Sequence, residues 1–223
     1  MGNLSEELVE ELNCETVFSF TVAGIEIPVT EAVVVTWIIM AVLILASIIL
    51  TARLRVHNIS KRQAVAELIV TKLTGLVSDM IGPKGAPYVL YLTTVLLYIG
   101  VSNTIGLFGF KPPTKDLSVT IALAAMSIIL VEGVIIYEKG IKKWLRQLVS
   151  PINLLELVTR PLSLCMRLFG NILGAFVIME LLKLVVPVIL PAVFSCYFDI
   201  FDGLLQAYVF VFLTSLYISE ALE

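Results

Sequence analysis

From Ala32 to Ala52 the chain carries no charged side chain, and the same holds from Gly85 to Phe110. Leu117 to Tyr137 is a third such run, interrupted only by Glu132. At about 1.5 Å per residue each run is long enough, as a helix, to cross a hydrocarbon core about 30 Å thick. The whole chain agrees with its parts: 59% of its 223 residues are hydrophobic and its mean hydropathy is +1.01. Soluble domains lie near about 45–50% apolar. The expected class is an all-α integral membrane protein embedded in a lipid bilayer.

A net charge of −3 argues against a nucleic-acid partner. The single histidine, His57, lies in a basic connector, so no histidine-based metal or catalytic site is expected. Cys14, Cys165 and Cys196 are scattered, in no metal-ligand spacing, and read as free thiols. The start of the chain is acidic, with its first apolar run far along, unlike a cleavable signal peptide.

Charge also orients the helices. Residues 1–28 carry Glu6, Glu7, Glu10, Glu11, Glu15 and Glu26 and no Lys or Arg, whereas Arg53, Arg55, Lys61 and Arg62 follow the first apolar run. The excess of cations marks the cytoplasmic side, which leaves the N-terminal segment outside. Residues 63–82, with Gln63, Glu67, Lys72 and Asp79 among Val, Leu and Ile, are too polar to span comfortably. They read as an amphipathic helix on the cytoplasmic face. Lys111-Pro-Pro-Thr-Lys-Asp116 forms an external loop, its double proline ending the preceding helix. Lys139, Lys142, Lys143 and Arg146 return the chain to the cytoplasm, and Trp144 beside them suits an interfacial anchor. The C-terminus is expected there too.

Beyond Pro151 the pattern changes. Glu156, Arg160, Arg167, Glu180, Lys183, Asp199 and Asp202 interrupt sequence that is otherwise Leu, Val, Ile and Phe. Two long helices, 152–185 and 191–220, joined near Pro187 and Pro191, fit this best. The first would run about 51 Å, well over the membrane thickness, so a strongly tilted, near-horizontal hairpin is predicted. The division expected is one membrane domain over 1–223: an external segment 1–28, peripheral helices 29–150 and an ion-channel hairpin 151–223. About five membrane helices accompany the amphipathic one.

On the first long helix Arg160, Ser163, Arg167, Asn171 and Gly174 share one face. Arg167 is the most constrained residue of the chain, since an always-charged guanidinium at membrane depth costs at least about 2.5–3.5 kcal/mol. Two readings fit it: a cation shown to a carboxylate on a facing helix, or an internal ion pair with Asp199 or Glu180. On the second helix Ser195, Asp199, Asp202 and Gln206 share a face that turns apolar at Phe210 and Leu213. A polar stripe covering the outer half of a helix suits an ion funnel ending at mid-depth, although Asp199 and Asp202 at the external interface would also simply face water. Glu132 lies near the cytoplasmic side, where it either lines an inner path or makes a packing contact. Glu180 and Lys183 are spaced to pair with each other. Asn103 and Gly106 indicate close packing and a buried amide.

Met166-Arg-Leu-Phe-Gly-Asn171, preceded by Arg160-Pro-Leu-Ser-Leu and followed about 40 residues later by Leu205-Gln-Ala-Tyr-Val-Phe210 and Leu213-Thr-Ser-Leu-Tyr217, closely resembles subunit a of the F-type ATP synthase. Ser102-Asn-Thr-Ile-Gly106, Pro113-Thr-Lys-Asp-Leu-Ser-Val-Thr120 and Pro151-Ile-Asn-Leu-Leu-Glu156 fit as well, and the likeness covers most of the chain after about residue 85. The resemblance implies a non-catalytic stator subunit, without cofactor or bound metal, in a cell membrane and most simply the bacterial plasma membrane. Its implied partners are the ring of c subunits, the b subunits of the peripheral stalk and the remaining synthase subunits. Arg167 matches the family's essential arginine between two half-channels. Asn171 and Gln206 match positions beside it, and Ser163 lies one turn before it. Asp199 falls where the family places a histidine or an acid of the outer half-channel. One departure stands out: Phe176 occupies a position where many relatives carry Glu or His, leaving Asp199, Asp202 or Glu180 to take that polar role. The ion implied is the proton, with Na⁺ as the alternative. A secondary transporter binding an anionic substrate at Arg167 is the rival class, but the inverted repeats and broken helices of such folds are not apparent here.

Overall fold

The structure is a computed structural model and describes residues 16–22, 25–52, 60–108, 110–148, 150–185 and 194–222. The connector with Arg53, Arg55 and His57, the junction with Pro187 and Pro191, Cys14 and the acidic residues before Thr16 lie outside the described residues. Strands β1 (Thr16–Val22) and β2 (Ile25–Thr30) pair antiparallel. Seven α-helices follow among the described residues: α1 (Glu31–Thr51), α2 (Lys61–Ile81), α3 (Val89–Thr104), α4 (Leu117–Lys139), α5 (Ile141–Leu148), α6 (Pro151–Val185) and α7 (Gly203–Leu222). Short 3₁₀ turns flank α3 at Pro83–Tyr88 and Ile105–Phe108, and a third covers Pro113–Lys115. A π-helical segment, Cys196–Asp202, leads directly into α7.

Five of these helical stretches are long and apolar enough to cross a membrane: Glu31–Thr51, Pro83–Phe108, Leu117–Lys139, Pro151–Met179 and Cys196–Leu222. The all-α membrane architecture read from the sequence is therefore present. The less apolar α2 is not among the five. The β1–β2 hairpin is an addition to that architecture.

Local chemistry accounts for the boundaries. Ser60 caps α2 by accepting a hydrogen bond from the Gln63 amide at 3.3 Å. Asp116 caps α4, its Oδ1 accepting from the Ser118 amide at 2.8 Å. Gly82 and Gly140 end α2 and α4 at φ of 75° and 79°, a left-handed setting that favours glycine, and each donates back to the preceding turn.

In lipid no hydrophobic force drives helix against helix; shape fit and interhelical hydrogen bonds do that work. Here α7 lies against α3, α4 and α2, and α6 lies against α4. The shared core contains Val77, Leu92, Ile99, Val131, Leu168, Phe210, Val211 and Ile218, all essentially buried. Two polar ties reinforce it. Asn103 is buried, donating through Nδ2 to the Gly203 carbonyl at 2.9 Å and accepting from Thr114 Oγ1 at 2.8 Å. Thr30 Oγ1 donates to Asp116 Oδ2 at 2.9 Å, which fastens the end of the hairpin to the loop before α4.

Leu164, Cys165, Leu168 and Ile172 form the buried edge of α6. Leu168→Ala removes a fully buried side chain from that contact and is expected to cost about 2–5 kcal/mol. It should lower the thermal denaturation midpoint of the purified protein, and an unchanged midpoint would contradict the packing described.

Candidate functional site

The buried edge of α6 leaves the opposite edge outward. Ser163, Arg167, Gly170 and Gly174 recur at helical spacing and are exposed, while Asn171 beside them is half-buried. Arg167 makes no hydrogen bond, ion pair or ring contact among the described residues. In particular it does not pair with Asp199. Glu180 lies in α6, but its side chain, like those of Phe176 and Lys183, is outside the described set. A Cβ added at Gly170 or Gly174 would meet nothing within 4 Å. The small residues of this face are thus not spent on a close approach by any described part of the chain.

Arg160, on the same helix, is in the opposite situation. Its Nη2 donates to Glu156 Oε2 at 2.8 Å and to both carboxylate oxygens of Glu220 at 3.1 Å. Its guanidinium carbon stands 4.9 Å from the centroid of the Tyr217 ring, a cation–π distance. Glu156 and Arg160 sit one turn apart on α6, whereas Glu220 and Tyr217 come from the end of α7. This latch borders a cleft of about 130 Å³ that Glu132, Lys139 and Trp144 also line. Glu132 accepts from Trp144 Nε1 at 2.7 Å, so it ties α4 to α5 while standing in the cleft.

The second polar stripe begins on the π segment. Asp199 and Asp202 are half-buried there, and Ser195 Oγ donates to Asp199 Oδ2 at 2.5 Å. A π turn holds more residues than an α turn, so Asp199 and Asp202 are rotated relative to Gln206 from where α-helical spacing would put them. Gln206 follows one turn into α7 and points inward: it is 4% exposed, and its Nε2 has no hydrogen-bond partner among the described residues. A buried amide nitrogen without an acceptor is costly.

The residues singled out from the sequence thus form two groups. Ser163 and Arg167 stand on an outward face of α6. Asp199, Asp202 and Gln206 follow one another along the π segment and α7. No hydrogen bond or ion pair joins the groups among the described residues. Sequence reading missed the π turn and the Glu220 arm of the Arg160 latch. The Glu156–Arg160 spacing was a visible signal for the latch, but its third member lies 60 residues further on. Among the described residues no three His, Cys, Asp or Glu side chains gather as a metal site.

Residues 33–219 match the family model described as ATP synthase A chain. Among curated proteins the chain is 36% identical over 198 residues to ATP synthase subunit a 2 of Syntrophotalea carbinolica, covering 84% of each. It is 36% identical over 202 residues to ATP synthase subunit a of Moorella thermoacetica, covering 87% of this chain and 91% of that one. Over 203 residues it is 31% identical to ATP synthase subunit a of Geobacter sulfurreducens, covering 86% and 88%.

The latch makes a prediction about stability. Glu220 is 59% exposed on its side chain, so solvent screens its bond to Arg160. Glu220→Gln should cost under about 1 kcal/mol. Arg160→Gln should cost more, about 1.5–3 kcal/mol, because Glu156 and Glu220 are left facing each other and Tyr217 loses its cation. Denaturation midpoints of the two variants give the comparison, and equal midpoints would refute it.

Proposed function

The chain belongs to the ATP synthase A chain family, and from that premise we propose that it is the stator that passes ions to and from a rotating ring of c subunits. It is a multi-pass membrane protein of the synthase's membrane sector. The finer reading assigns two offset half-channels, with Arg167 between them.

One observation carries it. Arg167 is exposed on an apolar helix, with no partner among the described residues, beside glycines that face open space. An uncompensated guanidinium at membrane depth costs about 2.5–3.5 kcal/mol or more. A carboxylate on another subunit, brought close across Ser163, Gly170 and Gly174, would supply the compensation. A c-subunit carboxylate suits this role.

The electrostatics then define the mechanism. Coulomb attraction to Arg167 keeps the facing carboxylate ionised, so the ion it carried must leave before it passes. The same positive charge repels a cation travelling directly between the channels. An ion therefore boards from one side, rides the ring through lipid on a neutralised site and departs on the other. At about 2.3 kcal/mol per charge per 100 mV, several crossings combine to drive one ATP synthesis. Asp199, Asp202 and then buried Gln206 form the outer path, in an order that leads from the external end toward mid-depth. Glu180 and Asn171 are assigned to the surroundings of the arginine. The cleft with Glu132, Glu156 and Glu220 is the inner mouth. The orientation is N-terminus outside and C-terminus cytoplasmic, with the hairpin of 151–223 against the ring and the b subunits of the peripheral stalk elsewhere on the chain. The ion is a proton; Na⁺ is the alternative for the same geometry.

The test uses the complete synthase in liposomes under an imposed ion gradient. Arg167→Ala should abolish ATP synthesis while the complex still assembles. Arg167→Lys, which offers a point charge instead of a planar fork, should retain about a tenth of the rate or less. Full synthesis by Arg167→Ala would overturn the proposal. Synthesis that persists in Na⁺-free buffer assigns the proton, and synthesis that requires Na⁺ assigns the alternative.

A further inference from the structure

Two residues outside the charged stripes touch the segment that carries Asp199 and its junction with α7. Asn103 is 1% exposed, and both ends of its amide are used, one on Thr114 and the other on the Gly203 carbonyl. Gly203 is the residue at which the π segment passes into α7. A Cβ on Gly203 would lie 2.9 Å from the Asn103 Cβ, so α3 and α7 touch there with no room for a side chain between them. Three residues after Asn103, the 3₁₀ turn brings Gly106 against Asp199. A Cβ on Gly106 would lie 2.9 Å from Asp199 Oδ1, 3.1 Å from Cγ and 3.3 Å from Oδ2. The Ser195 hydroxyl holds the same carboxylate from its own helix.

We propose that Asn103 and Gly106 are positioning residues for ion entry. Asn103 sets the height and rotation of the π segment, and Gly106 leaves the space in which the Asp199 carboxylate sits. This rests on the reading of Asp199 as an outer-path carboxylate. Among the described glycines Gly106 alone has a carboxylate as its nearest neighbour; Gly203 and Gly85 face Asn103 and Ile81, and Gly100 faces Leu204. A glycine kept only for helix approach would meet such core atoms. At Gly106 the group that must yield to a methyl is the free end of a short, rotatable side chain. The backbone can therefore stay where it is while the charge moves, which makes loss of transport without loss of assembly the signature of this seat.

The experiment compares variants of the complete synthase in liposomes, reading gradient-driven ATP synthesis and the denaturation midpoint of the complex. Asp199→Ala should slow synthesis. Gly106→Ala should assemble with an unchanged midpoint and lose about tenfold in rate, since displacements of about 1 Å at a reacting group have effects of this order or larger. Combined with Asp199→Ala, Gly106→Ala should add no further loss. Gly106→Asp together with Asp199→Ala returns a carboxylate to the same space from the other wall. It should run faster than Asp199→Ala alone, a rescue that a packing role does not produce. If Asp199→Ala is slow but Gly106→Ala runs at the full rate, or the two losses multiply, or the transplanted carboxylate fails to rescue, the proposal falls while the outer-path reading stands. Full synthesis by Asp199→Ala would overturn both.

Discussion

A guanidinium on a helix apolar enough to cross a membrane has to be met by something. The two arginines of α6 meet this constraint in different ways. Arg160 is satisfied within the chain by Glu156, Glu220 and the face of Tyr217, and its side chain is only 16% exposed. Arg167, two turns further along the same helix, has no such company among the described residues. Arg160 joins α6 to α7, whereas Arg167 stands exposed on the edge of α6 away from its buried residues. The difference follows from which residues α7 and the start of α6 place beside each position.

The small residues divide in the same way. Gly203 and Gly85 are filled against by their own chain, whereas Gly170 and Gly174 face open space. Close packing of helices in lipid depends on such residues. On this outward face they stand alongside Arg167, which has no partner among the described residues. Gln206 shows the complementary case: a side chain turned into the bundle with a donor left over.

The long helices were legible because each carries its own signal. The apolar runs within Glu31–Thr51 and Leu117–Lys139 need no tertiary information to be recognised, and the caps at Ser60 and Asp116 and the glycines at 82 and 140, which the charge pattern alone does not reveal, mark ends locally. The β1–β2 hairpin escaped notice although Thr16–Val22 and Ile25–Thr30 are rich in β-branched and aromatic residues; residues 1–28 read by their acidic charge as an external segment, and the alternation within it went unused. The π turn escaped because extra residues per turn leave no mark in a charge pattern read at α-helical spacing.

The order of residues alone determined that this chain is a membrane protein of long helices and that Arg167 stands on an apolar segment. These follow from composition and period, which are local properties. Only the tertiary structure decided which arginine is neutralised, that Gln206 turns inward, and that Gly106 abuts Asp199. Those outcomes depend on which helices become neighbours and at what rotation, so they rest on contacts such as Asn103 to Gly203 that join residues 100 positions apart.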